Sequence, residues 1–380
     1  MTTNNELETC KNCLNDSLDQ GFRLNEDGIC NYCERYQIDK DSFFFVDRGG
    51  DKKFKKIVEN IKEQNNSNYD CIIGLSGGVD SSYLAYKLKE YDLRVLAIHV
   101  DAGWNTETAV GNIQKVIEYT NFDLETLVLE WDEVRRLQLA LLKGEVMNQD
   151  IAQDHAFFAA LYKYAIKSKT KFVFTGSNMQ TEGVWGYYGR SAMDKTYLKD
   201  VFKKYGAGTL PTYPTLGFFS YYFLIPYIYK VNVVKPFNYL GYDKEYATNI
   251  LRDKIGYKVY KYKHGESIWT RFFQDYILPT KFNYDKRKIH LSAQLFNGDI
   301  SRADAIKVLN EEPYDQKYYD YDCDYISRKL EISKDEFQSY LKPIEKDPDT
   351  FKTNESIYKS LKFAQKLIEK ILGFKISNYS

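Results

Sequence analysis

The sequence predicts an α/β protein built on a doubly wound parallel sheet, with a small cysteine-rich module before the sheet and a mixed, largely helical region after it. Two observations lead to this prediction. Between residue 70 and about residue 180, short apolar runs alternate with helical patterns across polar turns, which is typical of a parallel sheet covered by helices on both faces. Four cysteines in two closely spaced pairs precede this part, and the alternation stops near residue 190.

Four apolar runs are interpreted as strands, and helical patterns separate them. The strands are CIIGL (71–75), LRVLAIHV (93–100), LETLVL (124–129) and KFVFT (171–175). Helices are expected at 52–64, from Ser81 onward, and near 106–119, 131–143 and 153–168, where apolar residues recur at helical spacing. In the strand order 3-2-1-4-5, the loops after strands one and four would flank the crevice where such sheets bind ligands.

The chain is expected to divide into four parts. These are a zinc-binding module with four cysteines (1–45), an ATP-binding sheet domain (46–190), a substrate-binding region that completes the site (191–312) and a helical tail (313–380). The aromatic stretch LGFFSYYFLIPYIYKVNVV (216–234) is interpreted as buried core or pocket wall, and YDQKYYDYDCDY (314–325) as a surface loop. The clearest amphipathic pattern of the tail is KSLKFAQKLIEKIL (359–372).

Composition excludes some classes of protein. Lysine plus arginine equals aspartate plus glutamate at 53 each, whereas a dedicated nucleic-acid binder usually carries excess positive charge. No segment has the roughly 18 uninterrupted apolar residues that a membrane span needs, and the first ten residues lack a secretory pattern. We therefore expect a cytoplasmic protein without nucleic-acid or membrane partners, whose cysteines bind metal rather than form disulfides.

The two cysteine pairs predict a metal site. Cys10 and Cys13 form one Cys-x2-Cys pair, and Cys30 and Cys33 form the other, 16 residues further on. Each pair places two thiolates on one side of a tight turn, and four thiolates complete a tetrahedron around Zn²⁺. Such a closed site has no open position for chemistry, so its role would be structural. An iron–sulfur cluster is the alternative.

The segment IIGLSGGVDSS (72–82) predicts a phosphate-binding loop. A strand, a glycine-rich turn and a helix present free backbone N–H groups to an anion, and glycines allow a close approach. The candidate pyrophosphate contacts are Ser76, Gly77, Gly78, Asp80, Ser81 and Ser82. Asp80 would cap the helix or help to hold Mg²⁺ against phosphate. The loop has neither the GKS/T ending of a Walker loop nor the third glycine of a dinucleotide fingerprint. It resembles the pyrophosphate loop of PP-loop ATPases, which cleave ATP between the α- and β-phosphates.

Two further loops end strands of the same sheet. HVDAGWN (99–105) follows the second strand, and TGSN (175–178) follows the fourth. Because the carboxyl ends of parallel strands share one edge, His99, Thr175 and Gly176 are expected around the adenosine of ATP. Asn105 is expected to contact the substrate.

A charged segment between residues 263 and 306 is the candidate substrate site. Its candidate residues are His264, Glu266, Arg271, Lys281, Lys286, Arg287 and His290. Lys281, Arg287 or His290 would neutralise pyrophosphate or a sugar carboxylate, and the sequence does not separate these roles. His264 and Glu266 are candidates for proton transfer, as are Asp154 and His155 at the head of a helix. The alternative for the charged segment is a solvated loop surface. The alternative for Asp154 and His155 is an Asp that caps the helix followed by a His at the edge of the core.

The motifs together resemble those of the N-acetyl sugar amidotransferase family, whose members act in bacterial surface-polysaccharide and nonulosonic-acid pathways. They are the two cysteine pairs, SGGVDSS, AGWN, QDHAFFAALYKYAIK, TGSNMQTEG, KHGES and DKRKIHLSAQL, in this order from about residue 10 to about residue 312. The resemblance implies a PP-loop (HUP-like, adenine nucleotide alpha hydrolase-like) domain that uses ATP and Mg²⁺. It also implies that ammonia converts an acetamido group of a bacterial surface sugar to an acetamidino group.

The rival interpretation is a PP-loop enzyme that modifies tRNA. In such an enzyme the zinc module would bind RNA. The balanced charge of the chain argues against it. No cysteine is placed as a glutaminase nucleophile, since four are assigned to zinc, Cys71 lies inside a strand and Cys323 lies among acids. The resemblance accordingly implies partners, namely a separate glutaminase and an ammonia-conducting subunit.

Overall fold

A five-stranded parallel sheet forms the centre of the protein. The computed structural model describes residues 7–64, 67–184, 186–187, 192–261, 264–344 and 351–372. The strands are β1 (Cys71–Gly74), β2 (Val95–Asp101), β3 (Asp123–Val128), β4 (Phe172–Phe174) and β5 (Asn232–Val234), in the order β3-β2-β1-β4-β5. All the pairings are parallel. The predicted doubly wound sheet and its order are confirmed.

Seventeen α-helices lie within the described residues. They are α1 (Asn31–Phe43), α2 (Gly50–Gln64), α3 (Val79–Lys89), α4 (Glu107–Thr120), α5 (Trp131–Lys143), α6 (Ile151–Lys167), α7 (Met179–Glu182), α8 (Lys195–Tyr205), α9 (Phe237–Leu240), α10 (Lys244–Ile255), α11 (Ile268–Phe272), α12 (Leu278–Phe282), α13 (Arg287–Asn297), α14 (Arg302–Asn310), α15 (Tyr319–Leu330), α16 (Lys334–Tyr340) and α17 (Glu355–Leu372). Two π-helical segments, Ser220–Ile228 and Phe273–Ile277, and two short 3₁₀ segments, Val46–Arg48 and Gln316–Tyr318, complete the helical structure.

Both faces of the sheet are buried at the apolar strands β1 and β2, whereas the edge strand β3 is largely exposed. Side chains alternate across a strand, so Ile73 of β1 packs with Leu84 of α3 and Val116 of α4. Its neighbour Ile72 points to the other face and packs with Leu161 of α6 and with Ile225. The helices on the two faces hold the carboxyl ends of β1, β2 and β4 at one edge of the sheet.

The strand order considered from the sequence includes a fifth strand, but no segment was assigned to it, and the sequence of β5 explains why. β5 has three residues, Asn232–Val234, which pair with Phe172–Phe174 of β4. Three residues are too few to show a period-two pattern. The apolar segment before it reads continuously into the strand, and no polar turn marks the boundary.

One interpretation of an aromatic stretch was only partly right, and another was wrong. The stretch 216–231 contains the helix Ser220–Ile228, of which Ile225 is buried, whereas Phe219, Tyr227, Ile228 and Tyr229 are exposed. The stretch is therefore only partly core, since Ile225 and Val231 are buried with β1 and β2 while those four side chains are exposed. The predicted surface loop at 314–325 instead enters helix α15, whose Asp322 and Cys323 are fully buried.

The cysteine module packs against α13 and α14. The guanidinium of Arg302 donates to the carbonyl oxygens of Cys13 at 2.7 Å and Cys10 at 3.0 Å. The backbone N–H of Leu14 donates to Ser292 Oγ at 3.0 Å. The module therefore supports the helices that follow the charged segment. Within the described residues, none of the helices combines the length and apolar character that crossing a bilayer requires.

Candidate active site

The phosphate loop connects β1 to α3 and is closed by its own serines. Gly78 N donates to Ser76 Oγ at 3.2 Å, and Ser76 N donates to Ser81 Oγ at 3.3 Å. Ser81 Oγ donates to Gly78 O at 3.2 Å. The hydroxyls of Ser76 and Ser81 thus lie side by side at the N-terminus of α3, where the helix dipole favours an anion. Ser82 is fully buried, which indicates a packing role.

Two glycines allow the elements around the loop to approach it closely. Gly77 has φ +82°, and a methyl group on it would lie 2.6 Å from the carbonyl oxygen of Ala109 in α4. A methyl group on Gly176, just after β4, would lie 2.8 Å from the carbonyl oxygen of Asp80. The backbones of α4 and of the β4 loop therefore pack directly on the phosphate loop, as the predicted crevice requires. Thr175 lies beside Gly176, and its hydroxyl donates to Ser177 Oγ at 3.3 Å.

A tyrosine that no motif of the sequence indicated holds Asp80. The hydroxyl of Tyr242 donates to Asp80 Oδ1. The backbone N–H of Tyr242 in turn donates to Gln180 Oε1 at 2.6 Å. Gln180 belongs to TGSNMQTEG, so this motif orients the loop aspartate through Tyr242.

Two further tyrosines hold the glycine turn. The hydroxyls of Tyr257 and Tyr260 donate to the carbonyl oxygen of Gly77 at 2.8 and 2.9 Å. With this carbonyl engaged, the position of the glycine turn is fixed. Because the chain contains 34 tyrosines, the tyrosines of YKVYKYKHG do not stand out in the sequence. No sequence pattern indicates their role at the glycine turn.

The KHGES segment lies over the phosphate loop and is fixed by the AGWN loop. Thr106 N donates to Glu266 O at 2.9 Å, and Ile268 N donates to Trp104 O at 3.1 Å. A methyl group on Gly78 would lie 3.5 Å from Glu266 Oε1. The predicted loop and the start of the predicted charged segment therefore meet at one site.

Glu266 and His264 form a pair at this site. His264 Nδ1 lies 3.3 Å from Glu266 Oε1. Burial acts to raise the pKa of Glu266, but the hydrogen bond and charge of His264 outweigh it and the pKa is lowered. Glu266 is therefore an ionised carboxylate beside the place where phosphates are expected.

A second pair of carboxyl groups lies at the start of α6. Asp150 accepts hydrogen bonds from Thr270 Oγ1 at 3.1 Å and from Gln274 Nε2 at 3.1 Å, and burial raises its pKa. Asp154 lies one helical turn further on. Burial, and then the charge of Asp150, raises the pKa of Asp154 to about 7, although Lys286 acts to lower it. A half-buried carboxyl group with a pKa near neutrality is suited to proton transfer at the working pH of an enzyme.

His155 and His99 have structural positions. His155 Nδ1 donates to the carbonyl of Ala192 at 2.7 Å, and its Nε2 accepts from the N–H of Leu216 at 3.1 Å. Both ring nitrogens are therefore occupied by backbone groups, which does not suit the predicted proton transfer. His99 Nδ1 donates to Leu75 O at 2.9 Å, and its Nε2 accepts from Asn105 Nδ2 at 3.1 Å. Burial lowers the pKa of both histidines, so both are neutral.

Three candidate cations of the charged segment are engaged in structural contacts. Arg287 donates to the carboxylate of Asp285 and to the carbonyls of Val308, Leu309 and Glu311 at the end of α14. Arg271 donates to the buried Asp322 at 2.7 and 2.8 Å. Lys281 is buried and donates to Glu145 Oε1 and to Tyr340 O. Their predicted role in binding substrate is not supported, because their donors are used within the protein.

The adjacent residues Lys286 and Arg287 differ in what their charges act on, since Lys286 acts on Asp150 and Asp154 whereas Arg287 pairs with Asp285. Lys286→Met should lower kcat/KM by about 10- to 100-fold, since one charge-assisted interaction contributes about 1.5–3 kcal/mol. Arg287→Met should leave kcat/KM nearly unchanged and lower the free energy of unfolding by about 1–3 kcal/mol, because it uncaps α14. Steady-state kinetics and denaturant unfolding measure the two effects. The reverse pattern would contradict the assignment.

His290 lies at the edge of the site. Its Nδ1 is 3.3 Å from the carbonyl oxygen of Thr181 in α7. This contact links α13 to the TGSNMQTEG motif. Of the charged segment, Glu266 and His264 thus lie beside the phosphate loop, while the charge of Lys286 acts on Asp150 and Asp154.

The four cysteines converge as predicted. The Sγ atoms of Cys10, Cys13, Cys30 and Cys33 all lie within 4.8 Å of one another, and all four residues are buried. Hydrogen bonds with Cys30 and Cys33 lower the pKa of Cys13. Four buried sulfur ligands at this spacing fit a tetrahedral metal ion such as zinc.

Two parts of the chain match known families. Residues 52–211, which contain the phosphate loop, match NAD synthase. Residues 266–367, which begin at Glu266, match the C-terminal domain of the WbpG-like LPS biosynthesis proteins. The chain therefore contains one region similar to NAD synthase and another similar to the C-terminal domain of WbpG-like proteins. The family resemblance seen in the sequence is confirmed, and the chain is an ATP-utilising PP-loop protein.

Solved structures of PP-loop proteins are similar at low identity. The NH3-dependent NAD synthetase of Campylobacter jejuni is 16% identical, over 40% of this chain and 70% of that chain, with a TM-score of 0.29. The NMN synthetase of Francisella tularensis is 17% identical, over 56% and 87% respectively, with a TM-score of 0.28. The U34-tRNA thiolase NcsA of Methanococcus maripaludis is 16% identical, over 69% and 75%, with a TM-score of 0.32. At these values the likenesses indicate nothing about activity. No curated protein matches the chain.

Proposed function

We propose that the protein is an ATP-dependent amidotransferase, a C–N ligase that converts an acetamido group of a bacterial sugar to an acetamidino group. One observation supports this proposal most strongly. Glu266, the first residue of the WbpG-like region, lies beside Gly78 of the phosphate loop in the NAD synthase-like region. The part of the chain that resembles ATP-using enzymes and the part that resembles surface-sugar proteins therefore meet at one cleft.

The proposed reaction has two steps. The acetamido oxygen attacks the α-phosphorus of ATP, the amide N–H proton leaves, and pyrophosphate departs, which gives an O-adenylyl imidate. Ammonia then adds to the imidate carbon, a base takes a proton from the new nitrogen, and AMP leaves with the former amide oxygen. Adenylation is needed because an amide oxygen is otherwise a poor leaving group.

The residues of the site divide between these steps. Ser76, Ser81 and the N-terminus of α3 bind the pyrophosphate portion of ATP. Lys286 stabilises negative charge on the same side of the cleft. Asp154 takes the proton from the attacking nitrogen, since a base is most effective when its pKa is near the working pH. Mg²⁺, as in other ATP-using enzymes, would be held with the phosphates near Asp80.

The pH dependence of turnover tests the role of Asp154. The groups that face it are Asp150, Lys286 and Tyr213. Because the ionised form accepts the proton, kcat should rise with pH through about 7, the pKa to which Asp154 is raised. Asp154→Asn should lose this rise and lower kcat by about 10²- to 10⁴-fold. An unchanged pH profile in Asp154→Asn would remove the residue from the mechanism.

We also propose that ammonia reaches this protein from a separate glutaminase through an ammonia-conducting subunit. Of the two cysteines outside the metal cluster, both are buried. Burial raises the pKa of Cys71 and raises that of Cys323 to about 11. Neither is a reactive thiolate. Ammonium salts should therefore support turnover by the purified chain, whereas glutamine should not.

The experiment that tests the proposed function is product analysis with a panel of acetamido sugars. AMP and pyrophosphate should form over many turnovers only when ATP, ammonium and the correct sugar are all present. Formation of ADP and phosphate would contradict it. Activity on tRNA with no activity on any sugar would favour the tRNA-modifying alternative, against which the WbpG-like match at 266–367 weighs.

A further inference from the structure

An exposed apolar surface lies away from the active site. Its apolar members are Phe219, Tyr227, Ile228 and Tyr229 of the aromatic segment, and Ile357, Leu361 and Phe363 of α17. Ile228 is 67% exposed and Phe363 is 72% exposed. Large exposed apolar side chains scattered singly are ordinary, but seven on two adjoining helices indicate a surface that binds something.

The two helices adjoin each other and α8. The rings of Tyr222 and Tyr358 lie 5.3 Å apart, which joins the aromatic segment to α17. The side chain of Asn354, just before α17, donates to Asp194 Oδ1 at 3.0 Å, at the start of α8. Phe351 packs on Tyr197 of α8 at 5.5 Å. We call this combination of α8, the segment 219–230 and residues 351–363 the aromatic–lysine surface.

The charge of this surface differs from that of the whole chain. The segments 194–205, 219–230 and 351–363 contain eight lysines and three acidic residues, whereas the chain as a whole is neutral. The acids are also engaged locally. Asp194 and Asp200 accept hydrogen bonds from backbone N–H groups, and Glu355 pairs with Lys359. The lysines therefore give the surface a positive field, which the balanced composition of the chain conceals.

The exposed end of the aromatic segment, at residues 227–229, is separated from the phosphate loop, whereas the start of α8 lies near His155. Tyr227, Ile228 and Tyr229 immediately precede β5, so they lie near the amino ends of the parallel strands. The phosphate loop lies at the opposite, carboxyl edge. A partner on the aromatic–lysine surface would leave the ATP site open.

We propose that the aromatic–lysine surface binds peripherally to an anionic lipid bilayer. Exposed Phe, Tyr and Ile side chains with lysines around them are the composition of helices that lie in the membrane interface. Anionic lipid attracts each lysine near the surface, and the aromatic rings enter the headgroup region. A second copy of the chain fits less well, because a two-fold interface would bring the lysines of both copies together.

Vesicle co-sedimentation of the full chain tests this proposal. Binding is expected to vesicles of phosphatidylglycerol with phosphatidylcholine, to be absent with phosphatidylcholine alone, and to fall as salt screens the lysines. The double variant Lys359→Glu/Lys362→Glu should weaken binding by roughly a hundredfold or more, since each lysine contributes about 1 kcal/mol at such a surface. Ile228→Ser/Tyr229→Ser should weaken it with less dependence on salt.

Matched controls lie on the other face of the sheet. Val110 of α4 is 53% exposed and Lys254 lies in the last turn of α10. Val110→Ser and Lys254→Glu should bind vesicles as the native chain does. The proposal is overturned if the native chain does not bind anionic vesicles, or if the controls weaken binding as much as the surface variants. It is equally overturned if ultracentrifugation shows a dimer that only Ile228→Ser/Tyr229→Ser dissociates.

Discussion

Gly77→Ala should abolish most of the ATP-dependent activity, by about a hundredfold or more. Gly77 has φ +82°, which costs an alanine roughly 1–2 kcal/mol. Its new methyl group would also lie 2.6 Å from the carbonyl oxygen of Ala109. The turn must shift to relieve this contact, and a displacement of about 1 Å at a reacting centre costs about 10²-fold in rate. Single-turnover ATP cleavage measures the effect.

Gly111→Ala is the matched control for this variant. Gly111 lies in the same helix as Ala109, and an added methyl group would meet nothing within 4 Å. Alanine is a better helix former than glycine, so the control should be as active as the native protein and more stable by about 0.5–1 kcal/mol. Equal activity in Gly77→Ala and Gly111→Ala would mean that the glycine turn only connects β1 to α3 and does not bind phosphate.

Cys30→Ser should remove the metal and destabilise the whole C-terminal part of the site. The four thiolates fit about one zinc ion per chain, and binding of a structural zinc contributes directly to folding. Arg302 anchors α14 to the carbonyl oxygens of Cys10 and Cys13. Loss of the metal should therefore loosen α13 and α14 and lower the melting temperature by several degrees, before any direct effect on chemistry.

Metal analysis and thermal unfolding together test this expectation. Cys71→Ala provides the control, because Cys71 is buried in β1 outside the cluster. The control should keep the zinc and lose only the small packing energy of one thiol. Iron in place of zinc in the purified protein would identify the alternative cluster, and full stability without any metal would contradict the structural role.

The parts of the fold that the sequence predicted are those with long, strongly patterned elements. The strands β1 and β2 and the helix Trp131–Lys143 were predicted nearly to the residue because their periodicity is clear. The topology followed from the motifs, since SGGVDSS and TGSN both had to reach the carboxyl edge. The short β5 and the half-buried helix α15 were missed because local composition, rather than period, dominated the interpretation.

The candidate site was predicted in its backbone and less well in its side chains. The function of glycine turns and cysteine pairs depends on the spacing of their residues along the chain, and this spacing is visible in the sequence. The charge of a side chain does not show which group it binds. Arg287 was therefore interpreted as a substrate contact, although its guanidinium donates to Asp285 and to the end of α14. The contact of Tyr242 was not predicted for the same reason, because its hydroxyl donates to Asp80 although the two residues are far apart in the sequence.

The most direct test of the proposed function is the fate of nitrogen from ammonium. The purified chain should be incubated with ATP, an acetamido sugar and ammonium that carries heavy nitrogen, and the sugar should be analysed by mass spectrometry. The product is expected to contain one heavy nitrogen in place of the acetamido oxygen, with one AMP and one pyrophosphate formed for each sugar converted. A sugar that is unchanged while ATP is hydrolysed, or one that is phosphorylated with release of ADP, would contradict the proposal.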